Sequence, residues 1–295
     1  MTTGTGVSGV AAAAGVTEIG VPSELPELGT PSLGQRARWL VSDSLVITKR
    51  NLLVWFRVPA FIVFTLVQPV MFTLLFRYVF GGAIKTHGIP YVDYLIPGVI
   101  AQTAGFTSFS TAIGLAREIQ RGGIDRIRSM PSARSAFLIG RLTADVLRLT
   151  LTIVVMVGVG YAVGFRFEAG PVDAVAMVAI SALLGLAVCC VSACIGLGVK
   201  DEESVQAFGL IWVFPLTFVS SAFVQVSTMP SWLQGFANHQ PFTEVIDVLR
   251  WLALGHNAGF VVHQSLSSSL WQALAWMVGT IVVFVPLATR AYKRA

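Results

Sequence analysis

At 295 residues, 55% of them hydrophobic and only 12% charged, the chain falls well below the roughly 25% charged content of an ordinary soluble domain. A soluble fold of this size would lack the polar surface to cover itself, so the composition points to an all-α, polytopic membrane protein. The formal net charge of +5 fits orientation against anionic headgroups and implies no nucleic-acid partner.

Residues 1–31 are rich in Gly, Ala, Thr and Pro and lack a basic start. They do not read as a signal peptide, and a disordered cytoplasmic tail is expected. Over residues 32–56 the pattern becomes helical. Leu33, Ala37, Leu40, Val41, Ser44, Leu45, Thr48, Leu52 and Trp55 recur at steps of three or four, with Trp39, Val46 and Leu53 interrupting. This predicts an imperfect, basic amphipathic helix lying along the inner membrane interface. Residues 57–295 form the transmembrane domain.

Span one is read over Val58–Phe76, uncharged between Arg57 and Arg77, with Gln68-Pro69 at its middle. Span two covers Tyr94 to Leu115 and is polar for lipid, carrying Gln102, Thr103, Thr107, Ser108, Ser110 and Thr111. Such side chains suit helix packing first and pathway lining second. Between Arg117 and Arg148 stand seven arginines against Glu118, Asp125 and Asp145, which places this segment in the cytoplasm. Span three is apolar from Leu149 to Phe165. Its helix is expected to begin near Phe137, because Arg141, Asp145 and Arg148 share one face, paired internally or snorkelling.

Span four runs over Val172–Val199 and holds Cys189, Cys190 and Cys194, read as small packing residues. A short loop, Lys200-Asp201-Glu202-Glu203, leads to span five at Ser204–Val226. The outer stretch Ser227–Ser269 is expected to form short amphipathic, re-entrant helices bounded by Pro230, Pro241 and Gly255. Glu244, Asp247 and Arg250 there suggest a salt-bridged cap. Span six is Leu270–Thr289. With both termini inside, only Arg77, Lys85, Arg166 and Arg250 of the 20 Lys and Arg lie outside, a strong positive-inside asymmetry.

The chain lacks the nucleotide-cradling motif G-x-x-x-x-G-K-[ST], and no acidic residue is expected mid-membrane, which disfavours proton coupling. His87, His239, His256 and His263 fall on outer segments, and solvated histidines are preferred to a metal cluster. No catalytic, cofactor or metal residues are assigned. A non-catalytic membrane subunit with a cytoplasmic docking element remains.

Tyr91–Thr103, Gly114–Arg141, Phe80–Ile84 and Gln240–Gly255 together resemble the drug-resistance-type permeases of type-2 ABC exporters, the daunorubicin exporter permeases among them. Pro97-Gly98, Gly122–Arg128, Pro131 and Arg134 carry the likeness. The family commonly has Asn-Pro where this chain has Gln240-Pro241. The resemblance implies six spans, an interface helix before span one and outer helices before span six. It also implies a coupling helix between spans two and three that docks on an ATP-binding-cassette ATPase subunit. Glu118, Arg121, Gly122, Asp125, Arg126 and Arg128 would lie in or beside that contact. The partner subunit would bind ATP and Mg, and a second permease subunit, identical or paralogous, would complete the unit among membrane lipids. Hydrophobic or amphipathic cargo, a drug or a lipid, would leave across the plasma membrane, conferring efflux and antibiotic resistance. Gln68, Gln102, Phe106, Phe109, Trp212 and Phe218 are the residues that could meet it, each also readable as packing. The alternatives are a permease for polysaccharide or lipid-linked glycan, and a membrane scaffold or enzyme.

Overall fold

The computed structural model describes residues 32–84, 86, 88–122, 134–199, 201–262 and 264–294. Among these, every regular element is helical. The nine α-helices are α1 (Leu33–Arg57), α2 (Pro59–Leu74, ending in a π-turn over Leu75–Phe80), α3 (Tyr91–Gln120), α4 (Arg134–Ala162), α5 (Pro171–Val199), α6 (Glu202–Phe218), α7 (Ser231–His239), α8 (Pro241–Leu254) and α9 (Leu266–Arg294). The expected N-terminal tail lies outside the described residues, as do His87, His263 and the segment holding Asp125, Arg126, Arg128 and Pro131.

Ser32 starts α1 as expected. Its hydroxyl accepts from the Gln35 amide at 3.3 Å, and the Gln35 side chain accepts from the Ser32 amide at 3.0 Å, a reciprocal cap that satisfies two otherwise orphaned donors. The face of α1 read from the spacing divides in the structure. Ser44, Thr48 and Trp55 are buried, whereas Val41 and Leu45 are exposed together with Trp39, Val46, Val54 and Phe56. The reason is a close crossing with α4. The Ser44 hydroxyl reaches the Ala136 carbonyl at 3.2 Å and that of Thr48 reaches the Gly140 carbonyl at 2.9 Å. Gly140 permits this approach, because a Cβ there would stand 2.6 Å from the Ser44 carbonyl oxygen. The opposite, exposed apolar face is the one free for lipid.

Five helical stretches are long and apolar enough to cross a membrane: Ile62–Phe80, Tyr91–Gln120, Ala136–Ala162, Pro171–Val199 and Leu266–Tyr292. The helix expected over Ser204–Val226 instead spans Glu202–Phe218, 17 residues. Its stop is local. The Ser220 hydroxyl donates to the Thr217 carbonyl at 2.6 Å and accepts from the Ala222 amide at 3.1 Å, closing a turn where hydropathy alone would continue the helix.

Helix α3 is the hub, with 67% of its apolar window buried against 11% for the spans formed by α2 and α9. It packs most extensively on α5 and also contacts α2, α4, α6 and α8. Gly196 of α5 lies where a Cβ would be 2.3 Å from the Ala112 carbonyl oxygen, and Ser192 donates to Ser108 at 2.9 Å across the same seam. Small residues bring the two backbones together here, and the three cysteines pack alongside: Cys189 and Cys190 are buried, Cys194 partly so.

The helix ends gather at two poles. At one, Arg117 of α3 grips Glu202 of α6 with two bonds of 2.9 and 2.8 Å, and Phe137 of α4 stacks on Tyr292 of α9 at 5.8 Å. At the other, α8 lies inside the bundle against α3, α5 and α9, its apolar face buried from Phe242 to Leu254. The paired outer helices expected there differ from each other: α8 is interior, whereas α7 leaves Trp232 and Phe236 exposed.

Pro97-Gly98 sits at that second pole, where a Cβ on Gly98 would be 2.3 Å from the Ala222 carbonyl oxygen. Gly98→Ala is expected to destabilise by about 1–3 kcal/mol through overpacking. Gly158→Ala, with nothing within 4 Å of its Cβ, leaves stability unchanged or slightly raised. Thermal unfolding of the purified chain in detergent measures the pair.

Candidate functional site

At the first pole the charged stripe of α4 turns into the protein. Asp145 is buried and receives the Thr111 hydroxyl at 2.6 Å and the Arg148 guanidinium at 2.5 Å, with Arg141 Nε at 3.8 Å. Arg148 also donates to Ser110 Oγ at 2.7 Å. A carboxylate at this depth survives only when paired and hydrogen-bonded. The internal pairing expected for Arg141, Asp145 and Arg148 is therefore what forms. Asp145 lies inside the Ala136–Ala162 stretch, on the charged stripe expected ahead of the apolar run from Leu149, and is solvated by protein instead of water.

Beside this cluster α1, α2, α3 and α4 enclose a cavity of about 430 Å³. Gln68, Gln102 and Phe106 line it, as do Asn51, Trp55, Phe64, Arg117, Arg141, Asp145 and Arg148. Three of the six pathway candidates thus converge on one space. The other three lie elsewhere. Phe109 packs against Gly209 of α6, whose Cβ would meet its ring at 2.8 Å. Trp212 packs against the main apolar core, and Phe218 stacks with Phe214 at 4.2 Å and meets Phe223 at 5.1 Å.

Of the docking candidates, Glu118 faces inward, 3.7 Å from Arg50 of α1 and 3.9 Å from Arg141 of α4. Arg121 and Gly122 are exposed just past the end of α3, Gly122 with φ +66°, a conformation glycine adopts without strain. Sequence reasoning missed Arg117 as a clamp to Glu202, since the partners are far apart in the chain. The signal available was an acid opening α6 opposite an arginine closing α3. Asp201 caps the same helix by accepting from the Ser204 amide at 2.8 Å. The Asp201 carboxyl is held below its ordinary range by the hydrogen bonds from Ser204.

At the opposite pole Arg250 is fully buried and lies 3.7 Å above the Tyr94 ring. It donates to Asp247 at 3.2 Å, to Ser221 Oγ at 3.0 Å and to the carbonyls of Ser221 and Tyr94. Tyr94 closes the knot by donating to the Ser221 carbonyl at 2.7 Å. Here the salt-bridged cap divides: Asp247 takes Arg250, while Glu244 turns toward α9, where Gln272 donates to it at 2.7 Å once its amide nitrogen faces the carboxylate. Of the histidines, His239 places Nδ1 3.0 Å from the Gly235 carbonyl oxygen within α7.

The architecture is a helical bundle with five membrane-length helices and interior charge clusters at both poles. The profile of the ABC-2 type transporter family matches residues 43–254, and the chain belongs to that family. It is a membrane-embedded, multi-pass permease subunit without catalytic function of its own, and ATP hydrolysis belongs to a separate subunit. The daunorubicin resistance ABC transporter permease protein DrrB1 of Streptomyces coeruleorubidus is 29% identical over 267 residues, covering 89% of this chain and 90% of its own. The probable doxorubicin resistance ABC transporter permease protein DrrC of Mycobacterium tuberculosis is 30% identical over 276 residues, covering 92% and 96%. The inner membrane transport permease YadH of Escherichia coli is 22% identical over 201 residues, covering 65% and 77%.

Glu244 lies outside the spanning helices and is 2% exposed. Burial, reinforced by the Asp247 charge, pushes its carboxyl from 4.5 up to about 7. The folded state then keeps a proton that the unfolded chain releases, so stability falls as pH rises from about 4.5 to about 7. Glu244→Gln is expected to flatten that slope and to stabilise the protein above pH 7. Unfolding midpoints across pH 5–8 check it.

Proposed function

We propose that this chain exports a hydrophobic or amphipathic compound, a drug or a lipid, from the cytoplasm or inner leaflet across the plasma membrane. The observation that carries the reading is the family match, joined to relatives whose names refer to daunorubicin and doxorubicin resistance. A separate ATP-binding subunit would bind ATP and Mg and supply the energy. Two permease halves, identical or paralogous, would form the pathway. Both termini would be cytoplasmic, with α6 as the sixth crossing. Seventeen residues reach about 25 Å, and the polar turn beyond Phe218 would complete the crossing inside the protein.

The segment leaving α3 at Arg121 would dock on the ATPase through Arg121, Gly122, Asp125, Arg126 and Arg128. Its base is braced on both sides, by Arg117–Glu202 to α6 and by Glu118 to Arg50 and Arg141. A displacement of the docked segment would therefore pull α1, α3, α4 and α6 together, and Gln102 and Phe106 of α3 would shift relative to Gln68 of α2.

Asp125→Ala combined with Arg126→Ala is expected to leave membrane insertion intact. Efflux and permease-stimulated ATP hydrolysis should fall by about tenfold or more, corresponding to ~1.4 kcal/mol or more of lost coupling. Well-inserted double mutant with unchanged efflux and unchanged stimulated hydrolysis would remove this segment from the docking role.

A further inference from the structure

The two carboxyls of α8 meet different surroundings. Asp247 has Arg250 at 3.2 Å and Ser221 Oγ at 3.3 Å. Glu244, one turn earlier and almost fully buried, forms no ion pair with a cation among the described residues. It faces α9, which carries no charged side chain from Leu266 to Thr289. A buried carboxylate without a counter-charge is costly, so the neutral acid is favoured wherever a neighbour can accept its proton.

Helix α9 supplies that neighbour. One atom of the Gln272 amide stands 2.7 and 3.1 Å from the two Glu244 carboxyl oxygens, and the other stands 3.3 Å from Ser268 Oγ. Ser268 Oγ is in turn 3.2 Å from Gln264 Oε1. Two hydrogen-bond patterns fit these positions. With Glu244 neutral, its O–H donates to the Gln272 carbonyl, the Gln272 amide donates to Ser268, and Ser268 donates to Gln264. Every bond then points from the buried carboxyl toward the partly exposed Ser268 and Gln264. With Glu244 charged, the Gln272 amide turns to donate to it, Ser268 donates to the Gln272 carbonyl, and Gln264 Oε1 loses its donor. The charged pattern also places a second negative charge beside Asp247.

Burial and the Asp247 charge keep the proton on Glu244 up to about pH 7, outweighing a hydrogen bond from Gln264 and the influence of His239. Other titratable groups around α8 are held elsewhere. Tyr94 and Asp247 meet Arg250, Tyr91 donates to the Phe223 carbonyl, and Asp93 accepts from the Arg166 amide. Asp173 of α5 accepts from the Gly170 amide, Glu168 from Asn257, and His239 lies against the Gly235 carbonyl. His256, in the turn after α8, is exposed, and His263 lies outside the described residues.

We propose that Glu244 is a proton-binding latch, whose proton ties α8 to α9 through Gln272 and Ser268 and whose loss frees the two helices to part at this pole. In the proposed topology this is the outer pole, so the latch answers to external pH and loosens as the surroundings turn alkaline. Parting of α8 from α9 admits water to Glu244 and releases the proton, and closure takes it up again. The inference goes beyond the transport reading, and its test needs no ATP, cargo or partner.

Infrared difference spectra of the full-length chain in detergent are recorded from about pH 5 to about pH 8. The carbonyl stretch of a protonated carboxylic acid should be present in wild type at low pH, decline through about pH 7, and be weaker in Glu244→Gln by the amount that titrates. Histidine side chains contribute no such band. Gln272→Leu removes the amide that supports the charged form and should carry the decline upward by about one pH unit. Hydrogen exchange of the α8 amides, corrected for its intrinsic pH dependence, should accelerate about tenfold between pH 6 and pH 8 in wild type and not in Glu244→Gln. Absence of a Glu244-dependent acid band overturns the proposal. So does an acid band with the same α8 exchange in wild type and Glu244→Gln, which would make Glu244 a buried acid that latches nothing. If Glu244→Gln fails to fold, Gln272→Leu decides, and an unshifted decline overturns the latch.

Discussion

A carboxylate buried among helices has to find its counter-charges inside the protein, and Asp145 organises the inner half of this bundle for that reason. The two flanking arginines of α4 supply them, and the Thr111 hydroxyl of α3 adds a hydrogen bond. Removing any one would leave a charge in a low-dielectric interior, a loss far larger than that of a surface pair. The requirement fixes the register of α3 against α4. It also turns Arg141 inward, where it meets Glu118, and it leaves Ser110, Gln102 and Asn51 facing a cavity instead of lipid.

The other pole follows the same rule with the charges reversed. Arg250 is sealed among Tyr94, Ser221 and Asp247, so the turn after α6 and the short helix α8 cannot separate from α3 without exposing a buried guanidinium. Between the two knots runs the seam of α3 and α5, where Gly196 lets the backbones touch, and Gly98 lets α3 meet the turn at Ala222. Rigid ends joined by a close-packed, small-residue seam favour movement of whole helices over local bending. Helices α2 and α9, little buried within the chain, are the parts left to meet lipid or a second subunit.

Much of this was legible from local pattern. Apolar runs closed by charge located the five long helices, and the spacing of Arg141, Asp145 and Arg148 foretold internal pairing. Gln68, Gln102 and Phe106 could be named because polar or aromatic residues in a span need a reason to be there. Legibility failed where the deciding contact is distant or polar in an apolar setting. The stop of α6 at Phe218 depends on the Ser220 hydroxyl, invisible to hydropathy. Val41 and Leu45 were read on one face of α1 with Ser44, Thr48 and Trp55, but the close crossing at Gly140 on a remote helix buries only the latter three. Glu244 and Arg250 share a face by spacing, yet Gln272 and Ser221, brought in by other elements, separate their roles.

This chain is the membrane subunit, and ATP hydrolysis belongs to a separate one; docking of that subunit at the pole where α3 ends is the proposal. The most direct measurement is co-purification from detergent of this chain with its cognate ATP-binding subunit, followed by cross-linking from a cysteine placed at Arg121. Stable association with a cross-link at that position is the predicted result. Failure of the two proteins to associate, with the permease intact and monodisperse, would contradict the account.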